Sequence, residues 1–443
     1  MKIPPHQRHR LANGIRLILL PRRGVPLIAF DAVVRGGARL DSEQHAGLAS
    51  ITAELLTRGA GARDAYGFAD AVEGAGGSMD AGAHSEAIIV HGQFLARDQA
   101  LMLELLADAL QRPCFEEAEL ETVRNRRIEF IKAAKDSEPQ SLIGSYGRAL
   151  LFGGHPFGRP ISGSEQSLAA LTREHVWQFY EQHVGADRLT LVFAGDFEPE
   201  AMLSAVTQSF EGWRTARSPL PPLPAPERER GRNVLLVDAP GATQTYFWIG
   251  NVGVARSYAR RAALEITNTA FGGSFGSMLM QALRVKNGLT YSAGSSFRRG
   301  SVPAEFAISS FTQTASTRQA VELALTTLDT LKVEGASQRS IDSARSYILG
   351  QYPLAFETST DWAAALAELD LYGLPDSYID GFADALRQVD AGQSRQVVAD
   401  AFPNSQDVDI VLIGDASQIR REAASWGALR EMPLAAPVFQ PVM

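Results

Sequence analysis

Arg284 and Tyr291 are the two residues whose types and spacing could do chemistry together. They stand on either side of Lys286-Asn287-Gly288. The residues before this tripeptide predict the end of a helix and those from Leu289 onward a strand, because glycine suits the left-handed position that follows a helix. A guanidinium and a phenol flanking a tight turn could converge on one oxygen and neutralise negative charge developing on a carbonyl. A surface arginine beside a strand tyrosine is the simpler alternative.

The elements that must position this turn come in two halves with the same order. The first half ends in a predicted strand, residues 189–194, followed by Gly195-Asp196. The second half closes with the similar strand 408–413, followed by Gly414-Asp415. Such matching indicates internal duplication. Because each half mixes strands with long helices, we predict an α+β fold of two homologous domains, each a mixed sheet with helices.

A proline-rich segment, residues 218–231, separates the two halves. Its five prolines favour an extended path that resists collapse onto either neighbour. We therefore predict an N-terminal domain at residues 1–217, a linker at 218–231, and a C-terminal domain at 232–443 that carries the Arg284–Tyr291 turn.

Composition narrows the classes of function. The 443 residues include 42 basic and 50 acidic side chains, and this net charge of −8 does not favour binding to nucleic acid or anionic membranes. No apolar run has the length of a bilayer-spanning helix. The single cysteine, Cys114, excludes an intrachain disulfide and a cysteine metal cluster. The first residues lack the apolar core of a signal peptide, and both the periplasm and the cytoplasm stay open as compartments.

Several short motifs, in this order, resemble a known family. They are Gly36-Gly37-Ala38-Arg39, Gly47-Leu48-Ala49, His155-Pro156-Phe157-Gly158, Phe271-Gly272-Gly273 and Leu283 to Tyr291. Together they resemble the pitrilysin and insulinase type zinc peptidases, which include the mitochondrial processing peptidase. The resemblance covers nearly the whole chain. It implies a pair of homologous α+β domains that forms half of a clamshell closing around a peptide.

The resemblance places the family's zinc helix directly after Gly47-Leu48-Ala49. The family motif is His-x-x-Glu-His, in which two histidines on one helical face bind zinc and the glutamate acts as a base. In this chain Ser50 and Glu54 stand at the histidine positions and Ala53 at the base position. The family's further glutamate ligand, on a later helix, falls near Ile131, with Glu129 close by. We therefore expect no metal site in this chain, although a residual metal role of Glu54 or Glu129 stays open.

No other catalytic motif replaces the lost one. The sequence has no Gly-x-Ser-x-Gly, no phosphate-binding loop and no cysteine–histidine arrangement around Cys114. Its eight histidines all lie in the first half, and the close pair His6 and His9 is interpreted as part of a solvated tail. His84 falls in the region that forms the substrate-binding edge in catalytic relatives, and a structural or surface role is the alternative.

The resemblance assigns catalytic roles to Arg284 and Tyr291. In family members an arginine and a tyrosine at this spacing bind the scissile carbonyl and stabilise the oxyanion. Gly272, Gly273 and Gly276 fall where the non-zinc subunit of the processing peptidase carries a glycine-rich loop, which implies substrate contact. Helix entry with close backbone packing is the alternative for these glycines.

These assignments imply the non-zinc subunit of a heterodimeric zinc metallopeptidase. The chain would hold no cofactor, a homologous partner would supply the zinc, and the substrate would be a peptide or an unfolded protein. We expect the chain alone to be inactive. Two alternatives are a non-catalytic scaffold, as in core subunits of a respiratory complex with this fold, and a peptide-binding homodimer.

Overall fold

Two compact units make up this computed structural model, which describes residues 1–228 and 230–441. Unit 1 contains Met1–Glu129, Ile161–Pro222 and Pro353–Asp380. Unit 2 contains Phe130–Pro160 and the described residues within Leu223–Tyr352 and Gly381–Met443. Glu229, in the predicted linker, lies outside the described residues.

The strands and α-helices run through the chain in this order. The strands are β1 (Gln7–Arg10), β2 (Arg16–Pro21), β3 (Leu27–Arg35), β4 (Ser78–Ala83), β5 (Ala87–Leu95), β6 (Leu189–Gly195), β7 (Arg232–Asp238), β8 (Gln244–Val252), β9 (Ala293–Arg299), β10 (Pro303–Gln313), β11 (Val408–Gly414) and β12 (Ala428–Pro433). The helices are α1 (Leu48–Leu55), α2 (Ala65–Gly74), α3 (Gln99–Gln111), α4 (Glu117–Ser137), α5 (Ile143–Phe152), α6 (Glu165–Ala169), α7 (Arg173–His183), α8 (Pro199–Phe210), α9 (Arg261–Asn268), α10 (Thr317–Glu334), α11 (Gln338–Gln351), α12 (Ser359–Leu371), α13 (Ser377–Asp380), α14 (Phe382–Gln388), α15 (Ala391–Ala401) and α16 (Ala416–Trp426). Among the described residues, no helix combines the length and the apolar character that crossing a bilayer requires.

Each unit is built on one six-stranded mixed sheet. The order is β1-β2-β6-β3-β5-β4 in unit 1 and β12-β7-β11-β8-β10-β9 in unit 2. In both sheets the third strand pairs in parallel with one neighbour and antiparallel with the other. These third strands, β6 and β11, are the two that end before the matched aspartates, and every residue in them is buried. The predicted α+β fold of two domains, each a mixed sheet with helices, is confirmed.

Two segments belong to the unit formed mainly by the other half of the chain. Residues 130–160 join unit 2, and residues 353–380 join unit 1. In unit 2, helix α5 packs on β8 and β11. Gly147 of α5 lies so close to Trp248 that a Cβ atom would stand 2.6 Å from its ring. The predicted division at residues 218–231 assigns each half of the chain to one domain. The observed units differ from it, because one helix of each half covers the sheet formed by the other half.

Helix α12 packs on β3 and β6 in unit 1 and is held there by a charged cluster. The Asp370 carboxylate accepts hydrogen bonds from Arg16 Nε at 2.8 Å and from Thr190 Oγ1 at 2.6 Å. Arg35 Nη2 lies 3.4 Å from the same carboxylate oxygen, and it donates to the Asp370 carbonyl at 2.6 Å. Burial and repulsion from Arg16 lower the pKa of Arg35. Asp370 is therefore the shared carboxylate partner of two arginines beneath the exchanged helix.

Asp31, on strand β3, is a buried carboxyl with a raised pKa. It is only 6% exposed, and burial raises its pKa to about 7. Since this value lies above that of the unfolded chain, the folded state binds more protons between about pH 4 and pH 7. The stability of unit 1 should therefore fall as the pH rises through this range.

Asp31→Asn is expected to stabilise unit 1 at pH 8 by up to about 4 kcal/mol and to leave its stability at pH 4 nearly unchanged. The amide keeps the shape of the side chain and cannot ionise. Denaturant unfolding at the two pH values, with Asp376→Asn as an exposed control, measures both effects. An Asp31→Asn protein that loses as much stability between pH 4 and pH 8 as wild type would contradict this assignment.

Candidate functional site

The helix that corresponds to the zinc helix, α1, has a fixed start and a buried environment. Gly47 precedes it with a positive φ of 96°, a conformation that glycine adopts without strain. The Asp41 carboxylate accepts hydrogen bonds from the backbone N–H groups of Gly47 and Ala49, both at 2.9 Å. Helix α1 packs against α7 and against β4, an edge strand of the unit 1 sheet. These contacts fix where α1 begins and how it packs in unit 1.

A guanidinium lies against the face of α1 that would carry the metal ligands. Arg127, on α4, donates from Nη1 to Ser50 Oγ at 2.7 Å and from Nη2 to the Ser50 carbonyl at 3.1 Å. Its Nη2 and Nε also donate to Glu54 Oε2, at 2.8 and 3.3 Å. We call Ser50, Glu54 and Arg127 the arginine-filled site.

Two more arginines meet the same carboxylate. Arg126 is bonded to Glu54 Oε1, and Arg58 Nη2 lies 3.3 Å from that oxygen. Burial alone would raise the pKa of Glu54, but the hydrogen bonds from Arg127 and Arg126 outweigh it and the pKa lies below its ordinary value. Both carboxylate oxygens of Glu54 are therefore occupied by cations.

These residues do not fit a zinc ion. A catalytic zinc needs three protein ligands from histidine, cysteine or carboxylate side chains and an open position. The arginine-filled site offers one hydroxyl and one carboxylate whose two oxygens already accept bonds from arginines. Across residues 1–228 and 230–441, no group of three or more histidine, cysteine or acidic side chains could hold a metal ion.

The further ligand position predicted near Ile131 needs correction. Ile131 is buried and belongs to the part of α4 that joins unit 2. The α4 residue that meets Ser50 and Glu54 is Arg127, about one helical turn earlier. Glu129 is exposed and stands two residues after Arg127, about 200° around the helix from it. The α4 residue opposite Ser50 and Glu54 therefore differs from the one that gapless counting along the sequence gives.

In unit 2, Arg284 and Tyr291 lie next to each other on the two sides of the turn. Gly288 has a φ of 61°, and the N–H groups of Gly288 and Leu289 donate to the carbonyls of Arg284 and Leu283 at 2.9 and 2.8 Å. These bonds close the helical turn Met280–Lys286, which is a π-helix. The following strand, β9, begins only at Ala293. Tyr291 therefore lies in the loop before β9, and the prediction that it sits in a strand was wrong.

The Arg284 guanidinium stacks between two exposed aromatic rings. Its central carbon lies 4.4 Å from the centroid of Tyr291 and 4.9 Å from that of Phe275. Tyr291 is 73% exposed and Phe275 is 63% exposed. In the described part of the chain, the guanidinium has no carboxylate partner and no hydrogen bond. Cation–π stacking thus fixes the plane of the cation and leaves its N–H donors free for a ligand.

The three predicted substrate-binding glycines differ in accessibility. Gly272 is buried, and a Cβ there would stand 2.6 Å from the Ser295 backbone nitrogen of β9, so close packing explains it. Gly273 and Gly276 are exposed, and Gly276 faces open space. Sequence reasoning missed Phe275, although an aromatic residue between glycines in a turn-rich segment was a usable signal.

His84 lies apart from these residues, in unit 1. It occupies the hairpin between β4 and β5, where its N–H donates to the Ala87 carbonyl at 2.8 Å and its carbonyl accepts from Ala38 at 2.9 Å. Its side chain is exposed beside the end of edge strand β4. The backbone of His84 therefore has a structural role, and substrate binding by its side chain stays a prediction.

Comparisons with known proteins agree with this fold. Residues 28–165 match the model of the insulinase family, peptidase family M16, and residues 170–348 match that of the peptidase M16 inactive domain. An uncharacterized zinc protease of Mycobacterium leprae is 27% identical over 88% of this chain and 87% of its own length. A similarly described protein of Mycobacterium tuberculosis is 29% identical, and the match spans 65% of each chain.

A solved structure is similar over most of the chain. The peptidase M16 inactive domain from Pseudomonas fluorescens superimposes with a TM-score of 0.86 at 21% identity, covering 93% of this chain and 98% of that one. This likeness concerns the fold. With the two family matches, which together span more than half of the residues, it defines the class: the chain belongs to the pitrilysin and insulinase type family, M16. It is an M16 peptidase-like protein.

Proposed function

We propose that this chain is the non-zinc subunit of a two-chain M16 metallopeptidase and contributes Arg284 and Tyr291 to a site whose metal belongs to its partner. The observation that carries the proposal is the half-buried Arg284, whose guanidinium is stacked on the exposed ring of Tyr291 and free of carboxylate partners among the described residues. An arginine held in one plane with its donors unused is suited to binding an oxygen that gains negative charge.

The chemistry at this turn follows from its donors. A partner's zinc would supply an activated water for attack on the peptide carbonyl. Arg284 would donate to the carbonyl oxygen, and its positive charge would stabilise the oxyanion that forms there. The Tyr291 hydroxyl is a second candidate donor, and its ring holds the guanidinium plane. Both groups act on charge that appears in the transition state, so they should raise turnover more than substrate affinity.

The need for a partner rests on the arginine-filled site. Ser50 and Glu54 replace the two histidine ligands, Ala53 replaces the base, and Arg127 engages both Ser50 and Glu54. None of these residues can activate a water in place of a metal. The peptide or unfolded-protein substrate would therefore meet its nucleophile on another chain of the same family.

A scaffold or a peptide-binding homodimer remains the competing function. Neither needs an arginine with unused donors beside an exposed tyrosine, whereas the loss of a zinc site suits all three functions. A neighbouring gene that encodes a homologue with His-x-x-Glu-His would favour the peptidase.

The purified chain alone is expected to contain less than stoichiometric zinc and to hydrolyse no peptide. Co-expressed with a His-x-x-Glu-His homologue, it should co-purify as a complex that cleaves unfolded peptides and loses activity with a chelator. Elemental analysis and a peptidase assay measure both. Stoichiometric zinc and turnover in the single chain would overturn the proposal, and a stable complex without activity would favour the scaffold.

A further inference from the structure

We infer that Arg127 takes the place of the metal ion in unit 1: its guanidinium is a built-in cation that fastens α1 to α4 and closes the site to zinc. Arg127, Ser50 and Glu54 all belong to this chain, so this role of Arg127 does not depend on the existence of a partner. The site therefore does more than lack metal ligands, because the Arg127 guanidinium itself prevents a metal ion from binding.

The geometry of the guanidinium resembles the bonding that a metal would make. Ser50 and Glu54 stand four residues apart and so lie on one face of α1. Arg127 reaches both of them from another helix, through four contacts of 2.7 to 3.3 Å. These contacts use four of its five N–H donors. One cation thus connects two positions on α1 with one on α4, as a metal bound there would.

The charge around the site opposes a divalent ion. Glu54 and Glu119 face the guanidinium groups of Arg58, Arg126 and Arg127, so two negative charges meet three positive ones and the formal sum is +1. A zinc ion entering this cluster would approach like charges at short range. Removing Arg127 takes away the cation that lies between the two α1 positions.

The contact between Arg127 and Glu54 is more buried than an ordinary surface ion pair. The Arg127 and Glu54 side chains are 18% and 17% exposed, whereas Arg126 is 54% exposed. Exposed pairs contribute little to stability, but an unpaired charge in a mostly buried site is costly. Arg126 also bonds to Glu54, so it is a matched control with the same charge and the same partner at a more exposed position.

The test places ligands on α1 and varies only the arginine. Three variants are made: Ser50→His/Glu54→His, the same pair with Arg127→Glu, and the same pair with Arg126→Glu. Calorimetry with zinc and the visible spectrum of bound cobalt report the binding. We expect stoichiometric binding only with Arg127→Glu, because this change both removes the cation and places a third ligand opposite the histidines. Binding by all three variants, by none, or by the Arg126→Glu variant would overturn the inference.

A second measurement covers the case in which the triple variant does not fold. In the otherwise wild-type chain, Arg127→Met is expected to lower the unfolding midpoint by several degrees, and Arg126→Met by much less. Adding Glu54→Gln to Arg127→Met should recover part of that loss, because Glu54 Oε2 then no longer carries charge without its arginine partner, while Oε1 keeps Arg126 and Arg58 nearby. Equal losses for the two arginines, or no recovery by Glu54→Gln, would count against Arg127 as the fastening cation.

Discussion

Arg284→Ala is expected to lower the turnover of the assembled peptidase about 10²- to 10³-fold, with the zinc content of the complex unchanged. The reason is that its guanidinium has unused donors and is held in one plane by Tyr291 and Phe275. A cation fixed before the reaction stabilises an oxyanion without reorganising. Single-turnover and steady-state assays on the complex measure the effect.

Two controls separate this role from general damage to the turn. Lys286→Ala removes a neighbouring exposed cation from the same helical turn and should leave turnover within about twofold, since an exposed charge is strongly screened. Tyr291→Phe keeps the ring beneath the guanidinium and removes only the hydroxyl. Its loss of turnover therefore reports the hydroxyl alone. If the Arg284→Ala complex were as active as the Lys286→Ala complex, Arg284 would have no role in catalysis and would be an ordinary surface residue.

Asp370→Ala should lower the free energy of unfolding of unit 1 by about 3 kcal/mol. The carboxylate is mostly buried and accepts hydrogen bonds from Arg16 and Thr190 beneath α12, with Arg35 at 3.4 Å. Without it, two partly buried guanidinium groups repel each other and Thr190 loses an acceptor. Denaturant unfolding, followed by a signal from unit 1, measures this loss.

Asp376→Ala provides the matched comparison. Asp376 lies in the same segment of unit 1 and pairs with Arg8, but both side chains are well exposed. Its removal should cost less than about 1 kcal/mol. If the two substitutions were equally costly, the cluster beneath α12 would be contributing no more than a surface ion pair.

The duplicated α+β organisation could be predicted because its signals are local. The strands that became β6 and β11 carry similar, mostly apolar runs before glycine and aspartate, and each became the third strand of its sheet. The turn before Leu289 could also be predicted from the sequence, because only glycine readily adopts the positive φ found at Gly288.

What the sequence could not provide is information about partners distant in the chain. Helices α5 and α12 can be predicted as helices, but their sequence patterns do not indicate which of the two sheets each helix covers. Arg127 looks like one more cation on a charged helix, and its position opposite Ser50 depends on how α4 lies against α1. Phe275 looked like part of a glycine-rich turn, and its stacking on Arg284 depends on the fold of the π-helical segment.

The exchange of α5 and α12 also sets the order in which the growing chain can finish folding. All strands of the unit 1 sheet are complete at Gly195, but the helix that covers β3 and β6 begins at Ser359. At typical rates of synthesis, about 10 to 30 s separate the two events on the ribosome. During that interval an apolar sheet face stays uncovered, so the nascent first half should be a chaperone client and a terminated half-chain should aggregate.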